Sequence, residues 1–234
     1  MDFPIPTVAL VALPPTLRQS VTQAYATAQA QPRPFLLHTI GVPGAGKSSL
    51  VRALSAALDP LPHHCVSFDS LMHAIPAYRS RSRGDAEEAF KAFELPAREA
   101  GYVLLRELLT RRAHILFDHS GANPDHRDIL CYAKQQGYAV MVVRVGVAET
   151  QAQRRLAERQ LKDGRHTPPA YVAERQALLQ TLLPAYRHSA DSYLELQNDD
   201  LPAEDRALWF AMTAAKLSDA VHEVLAPKAR AATA

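Results

Sequence analysis

Gly41-Val42-Pro43-Gly44-Ala45-Gly46-Lys47-Ser48 is the stretch that decides the fold. It has the form G-x-x-x-x-G-K-[ST], and its flanks supply the context such a loop needs. Phe35-Leu36-Leu37-His38-Thr39-Ile40 before it is an apolar run of strand length, and Ser49-Leu50-Val51-Arg52-Ala53-Leu54 after it has helical spacing. Strand, glycine turn and helix together make a cradle for phosphate. Glycines let backbone N–H groups converge on an anion without an intervening Cβ. The helix that begins there turns its positive end toward the same anion. Within Gly41, Pro43, Gly44, Ala45, Gly46, Lys47, Ser48 and Ser49, Lys47 is placed to reach the outer phosphates and the Ser48 hydroxyl to ligate Mg²⁺.

Outward from this loop, apolar runs alternate with helical periodicity. A helix is expected over 15–29, ahead of the first strand at 35–40, with the loop helix over 46–58. The second strand is read as Cys65–Phe68, ending at Asp69, and a long helix as 85–112. A third strand, 115–117, ends at Asp118, and a helix over 124–136 opens at Asn123-Pro124 and closes at Gly137. A strand at 139–145, helices at 148–163 and 168–183, a strand at 192–196 and a helix at 203–225 complete the pattern, with a frayed tail over 227–234. Short, near-continuously apolar strands are buried on both faces. The fold class expected is therefore α/β: a three-layer αβα sandwich on a five-stranded, mainly parallel sheet, with a helical lid and extra terminal helices.

The bulk properties narrow the function classes. A chain of 234 residues with 47% hydrophobic content is long and apolar enough for one sizeable core. A formal net charge of +2 gives no electrostatic case for binding nucleic acid. No apolar run approaches the ~20 residues that span a bilayer, and the proline-broken N-terminus has no basic leader, so no membrane association is expected. Cys65 and Cys131 fit neither a disulfide framework nor a metal site and read as buried thiols in a reducing, cytoplasmic setting.

Ligands of open α/β sheets bind beyond the carboxyl ends of the strands, and four features fall there. Asp69 can accept the proton of a substrate hydroxyl, or cap a helix starting at Ser70. Asp118, behind three apolar residues, is a carboxylate for Mg²⁺ in company with Ser48. The loop after it carries His119 and Ser120, which can contact substrate or simply be hydrogen-bonded loop residues. Arg155, Arg159 and Lys162 share one helix face, and Arg165 follows Gly164. Arginines on a lid can neutralise charge on a transferring phosphoryl group; the alternative is a solvated face with Arg154–Glu158 pairing. The fourth feature is Arg79, Arg81 and Arg83 on an irregular stretch, suited to an anionic substrate or to solvent.

In this ordered combination the chain resembles the zeta-toxin family of P-loop kinases. Asp69 is followed seven residues later by Pro76 and then by Tyr78. Phe117-Asp118-His119-Ser120-Gly121 is similar to that family's acidic residue and its Ser/Thr-Gly turn. Arg159 and Arg165-His166-Thr167-Pro168 are similar to its lid arginines and following proline, and Asn198 to its asparagine near the nucleotide base. The resemblance implies a P-loop NTPase fold over 35–200, with a helical extension at 1–34 and a C-terminal helix and tail at 201–234. It implies ATP and Mg²⁺ as cofactors, Asp69 as base, Arg159 and Arg165 as charge-stabilising groups, and a small-molecule acceptor. An antitoxin or another protein is the implied macromolecular partner. Two departures stand out. Met72 occupies a position where the family often has Arg or Lys, and Asp118 one where it often has Glu, so the family's nucleotide-sugar acceptor does not carry over directly. Two other functions share the layout. A nucleotide-dependent switch would lack a competent lid, and a 5′-polynucleotide kinase would show steep salt dependence.

Overall fold

Phe35–Ile40 forms β1, a strand buried along its whole length, and every residue type in it but His38 and Thr39 is apolar. In the computed structural model, which describes residues 2–163, 166–199 and 203–226, this strand is the middle of a five-stranded sheet. The others are β2 (His64–Ser67), β3 (Ile115–Asp118), β4 (Ala139–Gly146) and β5 (Ser192–Gln197), in the order β2-β3-β1-β4-β5. All four pairings are parallel, so the sheet is wholly rather than mainly parallel. The register is continuous across the centre: Leu37 lies opposite Leu116 on one side and Met141 on the other.

Nine helices surround the sheet among the described residues: α1 (Pro15–Ala26), α2 (Lys47–Ala57), α3 (Phe68–Ala74), α4 (Pro76–Arg81), α5 (Ala86–Thr110), α6 (Asp125–Gln135), α7 (Glu149–Asp163), α8 (Pro169–Ser189) and α9 (Ala203–Leu225). The alternation of β1 assigns its side chains to two layers. Leu36 and Ile40 join the core beneath α1, α3, α5, α6 and α8, while Phe35 and Leu37 join the core beneath α2, α7 and α9. α9 runs along α2, and α1 runs along α5.

β2 ends at Ser67, and Phe68 begins α3, so Asp69 sits in a first helical turn rather than at a strand end. Ser67 is the cap of that helix: its hydroxyl accepts from the Ser70 N–H at 3.3 Å, which releases Asp69 from capping. Arg79 and Arg81 lie in α4, because Pro76 at a helix N-terminus starts a turn that the irregular reading missed. Cys65 is exposed and Cys131 half-buried, against the expectation of two buried thiols; Cys65 lies on β2, the edge strand of the sheet. The expected frayed tail at 227–234 lies outside the described residues. Among the described residues, no helix is long and apolar enough to cross a membrane.

α1 belongs to the core. Leu17 and Val21 are fully buried in the layer shared with α5. Leu17→Ala should cost about 2–5 kcal/mol of unfolding free energy in urea titration. A loss under about 0.5 kcal/mol would mean that α1 only rests on the surface.

Candidate functional site

The loop between β1 and α2 takes its shape from backbone that glycine alone tolerates. Gly44 has φ +84°, and a Cβ there would lie 2.7 Å from the Ala152 carbonyl oxygen of α7. Gly46, the N-cap of α2, has φ +98°. The loop's carbonyls are tied outward. The Lys47 ammonium donates to Val42 O at 2.9 Å, Arg155 to Gly44 O at 3.4 Å, and the Asn198 amide nitrogen to Ala45 O at 2.7 Å. Gly41 N–H donates to Ser120 O at 2.9 Å, which joins the loop after β1 to the loop after β3.

A cleft of about 700 Å³ opens over this loop. Pro43, Gly44, Gly46, Lys47, Ser48 and Ser49 form its floor. Asp69 enters from the first turn of α3, Asp118, His119 and Ser120 from the end of β3 and the loop after it, and Arg155, Arg159 and Lys162 from α7. The shared face of α7 expected from spacing is therefore the face turned to the cleft, while Arg154 pairs at 3.8 Å with Glu158, which also borders the cleft. Ala45 is fully buried, and Gly41 borders a separate, smaller hollow of about 190 Å³. Arg79 is elsewhere: its guanidinium donates to the carbonyls of His73 and Ala74 at the end of α3. Arg165 lies outside the described residues. Asn198 is buried, with its side chain directed to the loop.

The electrostatics of the cleft centre on Lys47 and Asp118. Burial pushes the Lys47 ammonium below its ordinary value; Asp118 and Asp69 oppose that and Arg159 adds to it. Burial pushes the Asp118 carboxyl up; Lys47 and the hydroxyls of Ser48 and Thr39 oppose that, while Asp69 adds to it. The four groups thus feel one another across the loop. Ser48 and Asp118, within hydrogen-bonding reach, offer two hard oxygens to a cation. No group of three or more His, Cys, Asp or Glu is arranged to hold a metal among the described residues. Two protein oxygens with room for phosphate and water suit Mg²⁺ rather than a metal caged by protein alone.

Beneath the Asp118 loop runs a buried chain that sequence reading missed. The Phe117 carbonyl can only accept, so His38 carries its proton on Nδ1 and donates at 3.0 Å. His38 Nε2 then accepts from His126 Nδ1 at 3.2 Å, and His126 Nε2 accepts from the Tyr102 hydroxyl at 3.0 Å. Tyr102 in turn accepts from the Asn123 amide at 3.0 Å. All three imidazoles of this region, those of His38, His119 and His126, are held below the usual histidine value, chiefly by burial. His119 accepts from Gly121 N–H through Nδ1 at 3.3 Å, which leaves the proton on Nε2. Three scattered histidines carry no motif; only the adjacency of β1, β3 and α6 unites them.

Further cleft residues were also illegible: Phe90 of α5, Tyr171 of α8, and Arg206 and Phe210 of α9. Thr167 also lines the cleft, accepts from Arg159 at 2.7 Å and so holds its guanidinium. An i, i+4 spacing of Arg206 and Phe210 was the one available signal, and it is common on any helix.

A family model described as Zeta toxin matches residues 18–220. No curated protein matches the chain. Among solved structures, the chain is similar to one from the PezAT chromosomal toxin–antitoxin system of Streptococcus pneumoniae, with 13% identity and a TM-score of 0.60; the match covers 90% of this chain and 95% of that one. It is also similar to a shikimate kinase from Acinetobacter baumannii in complex with shikimate, with 20% identity and a TM-score of 0.45 over 87% of this chain and 96% of that one.

The carboxyl of Asp118 is raised in the fold, so its contribution to stability is greatest below the ordinary carboxylate range and is lost as pH rises through the raised value. Asp118→Asn should therefore raise the melting temperature of the ligand-free protein at pH 7.5; an unchanged or lower value would contradict it. His38, held down to about 4 from 6.5, has the opposite sign. Its contribution, on the order of 3 kcal/mol, is present above pH 6.5 and lost on acidification through pH 4. His38→Gln should flatten the decline of stability between pH 6.5 and 4.5 by about one bound proton, measured by urea titration at stepped pH.

Proposed function

Because the chain belongs to the zeta-toxin family of P-loop kinases, we propose that it transfers the γ-phosphate of ATP, with Mg²⁺, to a hydroxyl of a small-molecule acceptor. The observation that carries this reading is the convergence of Lys47, Ser48, Asp69, Asp118 and Arg159 on one cleft over the phosphate loop.

The loop amides and Lys47 hold the β- and γ-phosphates. Ser48 and Asp118 are the residues to hold Mg²⁺, which would neutralise charge on the β- and γ-phosphate oxygens. The Asp69 carboxylate takes the proton of the acceptor hydroxyl as that oxygen bonds to the γ-phosphorus. The bond from phosphorus to the bridging oxygen breaks, and ADP leaves with that electron pair. Arg159, braced by Thr167, stabilises the charge on the equatorial oxygens. Arg165 has the same role in this reading, and Asn198 holds the loop at its nucleotide end. His119 presents an Nε2–H donor to the acceptor side, next to Ser120. We take residues 35–200 as the catalytic unit, with 1–34 and 201–234 as its flanking extensions.

The acceptor side supports a polar molecule with an apolar face. Phe90 and Tyr171 line the cleft together with Lys162, His119 and Asp69. Met72 is buried in the core, so it supplies no cation to the acceptor. A nucleotide-sugar fits the family, and an antitoxin is the protein partner that the pneumococcal toxin–antitoxin system suggests.

Transfer of labelled γ-phosphate from Mg·ATP across nucleotide-sugars, sugars, aminoglycosides and 5′-hydroxyl oligonucleotides tests this. A product made by the wild type and absent with Lys47→Ala is expected. Asp69→Asn should retain ATP affinity within about twofold while lowering turnover by roughly 10²-fold or more. Full activity of Asp69→Asn on the true acceptor would remove Asp69 as the base.

A further inference from the structure

The reaction described above leaves the α9 wall of the cleft without a role. Sheet order fixes the cleft's polarity: Asp69 follows β2 at one edge, the phosphate loop follows the central β1, and α9 follows β5 at the other edge. A triphosphate on the loop with its transferable end toward Asp69 and Asp118 directs its nucleoside away from them, toward α9. There Arg206, Ala207 and Phe210 wall the cleft.

Phe210 is half-buried, packs on the core beneath α2 and α9, and lies against the loop itself. A Cβ built on Gly46 would stand 3.0 Å from Phe210 Cζ. Trp209 meets its ring edge-to-face with centroids 5.1 Å apart, which fixes its orientation. Arg206 is one helical turn earlier on the same face and is also half-buried. A fixed aromatic ring and a guanidinium on one helix face, open to a cleft, are the groups that hold a flat heterocycle: the ring by stacking, the guanidinium by lying over the π-system.

We propose that α9 supplies the base subsite of the nucleotide, with Phe210 stacking on the purine and Arg206 covering it. Nucleotide affinity then depends on a helix remote in sequence from the phosphate loop. Because Phe210 touches Gly46, base binding and loop geometry share one contact. The inference rests on the nucleotide reading of the cleft, and its test separates the two.

Isothermal titration with Mg·ATP and with Mg·tripolyphosphate, which has the phosphates and no base, is performed on the full chain and on Arg206→Ala, Phe210→Ala and Lys47→Ala. The wild type should bind ATP roughly 10-fold or more tightly than tripolyphosphate. Arg206→Ala and Phe210→Ala should each bring ATP affinity down toward that of tripolyphosphate and leave tripolyphosphate within about twofold of wild type. Lys47→Ala should lose both ligands. Emission of Trp209, the one tryptophan of the chain, should respond to ATP and not to tripolyphosphate. Arg206→Ala alters a helix-surface position, so it carries the test even if Phe210→Ala disturbs the loop. A wild-type ATP-to-tripolyphosphate ratio retained in Arg206→Ala and in any folded Phe210→Ala overturns the base subsite. Equal affinity of the wild type for both ligands overturns it as well, with the phosphate reading intact. Binding of neither ligand overturns the phosphate reading and the base subsite together.

Discussion

A loop that offers its N–H groups to an anion must have its carbonyl oxygens satisfied elsewhere, and the rest of this structure depends on that requirement. Four of its carbonyls have donors, drawn from α2, α7 and the segment after β5. Val42 O accepts from Lys47 of α2, Gly44 O from Arg155 of α7, and Ala45 O from Asn198 after β5. The Gly46 carbonyl is taken by Leu50 N–H in the first turn of α2. Buried backbone groups left without partners are costly, so the loop cannot keep its shape unless α7 and the end of β5 are in place. A segment of eight residues is thus held by elements that span more than half of the chain.

The same loop determines how charge is distributed over the site. Lys47 and Asp118 are each buried enough to disfavour their charged forms, and each is the other's main compensation. Such a pair contributes little to stability and much to readiness. Its charges already face the space a phosphate and a cation would enter, so little reorganisation is needed when they arrive. The neighbouring imidazoles work in the opposite way. His38, His119 and His126 stay neutral, with tautomers set by Phe117 O, Tyr102 and Gly121 N–H. That neutrality avoids adding positive charge beside Lys47 and Arg175, both of which press the imidazoles further toward the uncharged form.

Much of the architecture was legible along the chain for a simple reason. In a parallel sheet buried on both faces, strands are short apolar runs and helices follow each one, so local pattern and global fold agree. Phe35–Ile40 and the helix after Lys47 were therefore readable to within a residue. Boundaries failed where a capping side chain competed with the apolar pattern. Phe68 reads as the end of a strand, but Ser67 caps a helix that already includes it. Pro76 turns an arginine-rich stretch into a short helix, and it draws Arg79 back onto α3 instead of toward the cleft.

By itself, the sequence determined the glycine loop, the α/β class and the carboxylate that ends the third strand. Each of these is a short-range pattern with a local physical cause: glycine backbone, apolar periodicity, a polar residue ending an apolar run. The tertiary structure alone decided what those residues face. Only folding sets Asn198 against Ala45, 153 residues away, and Arg155 against Gly44, 111 residues away. It also links His38 to His126 and brings Phe210 onto Gly46. Side-chain contacts of that separation follow from strand order and helix packing, and neither quantity is written in the spacing of residues along the chain.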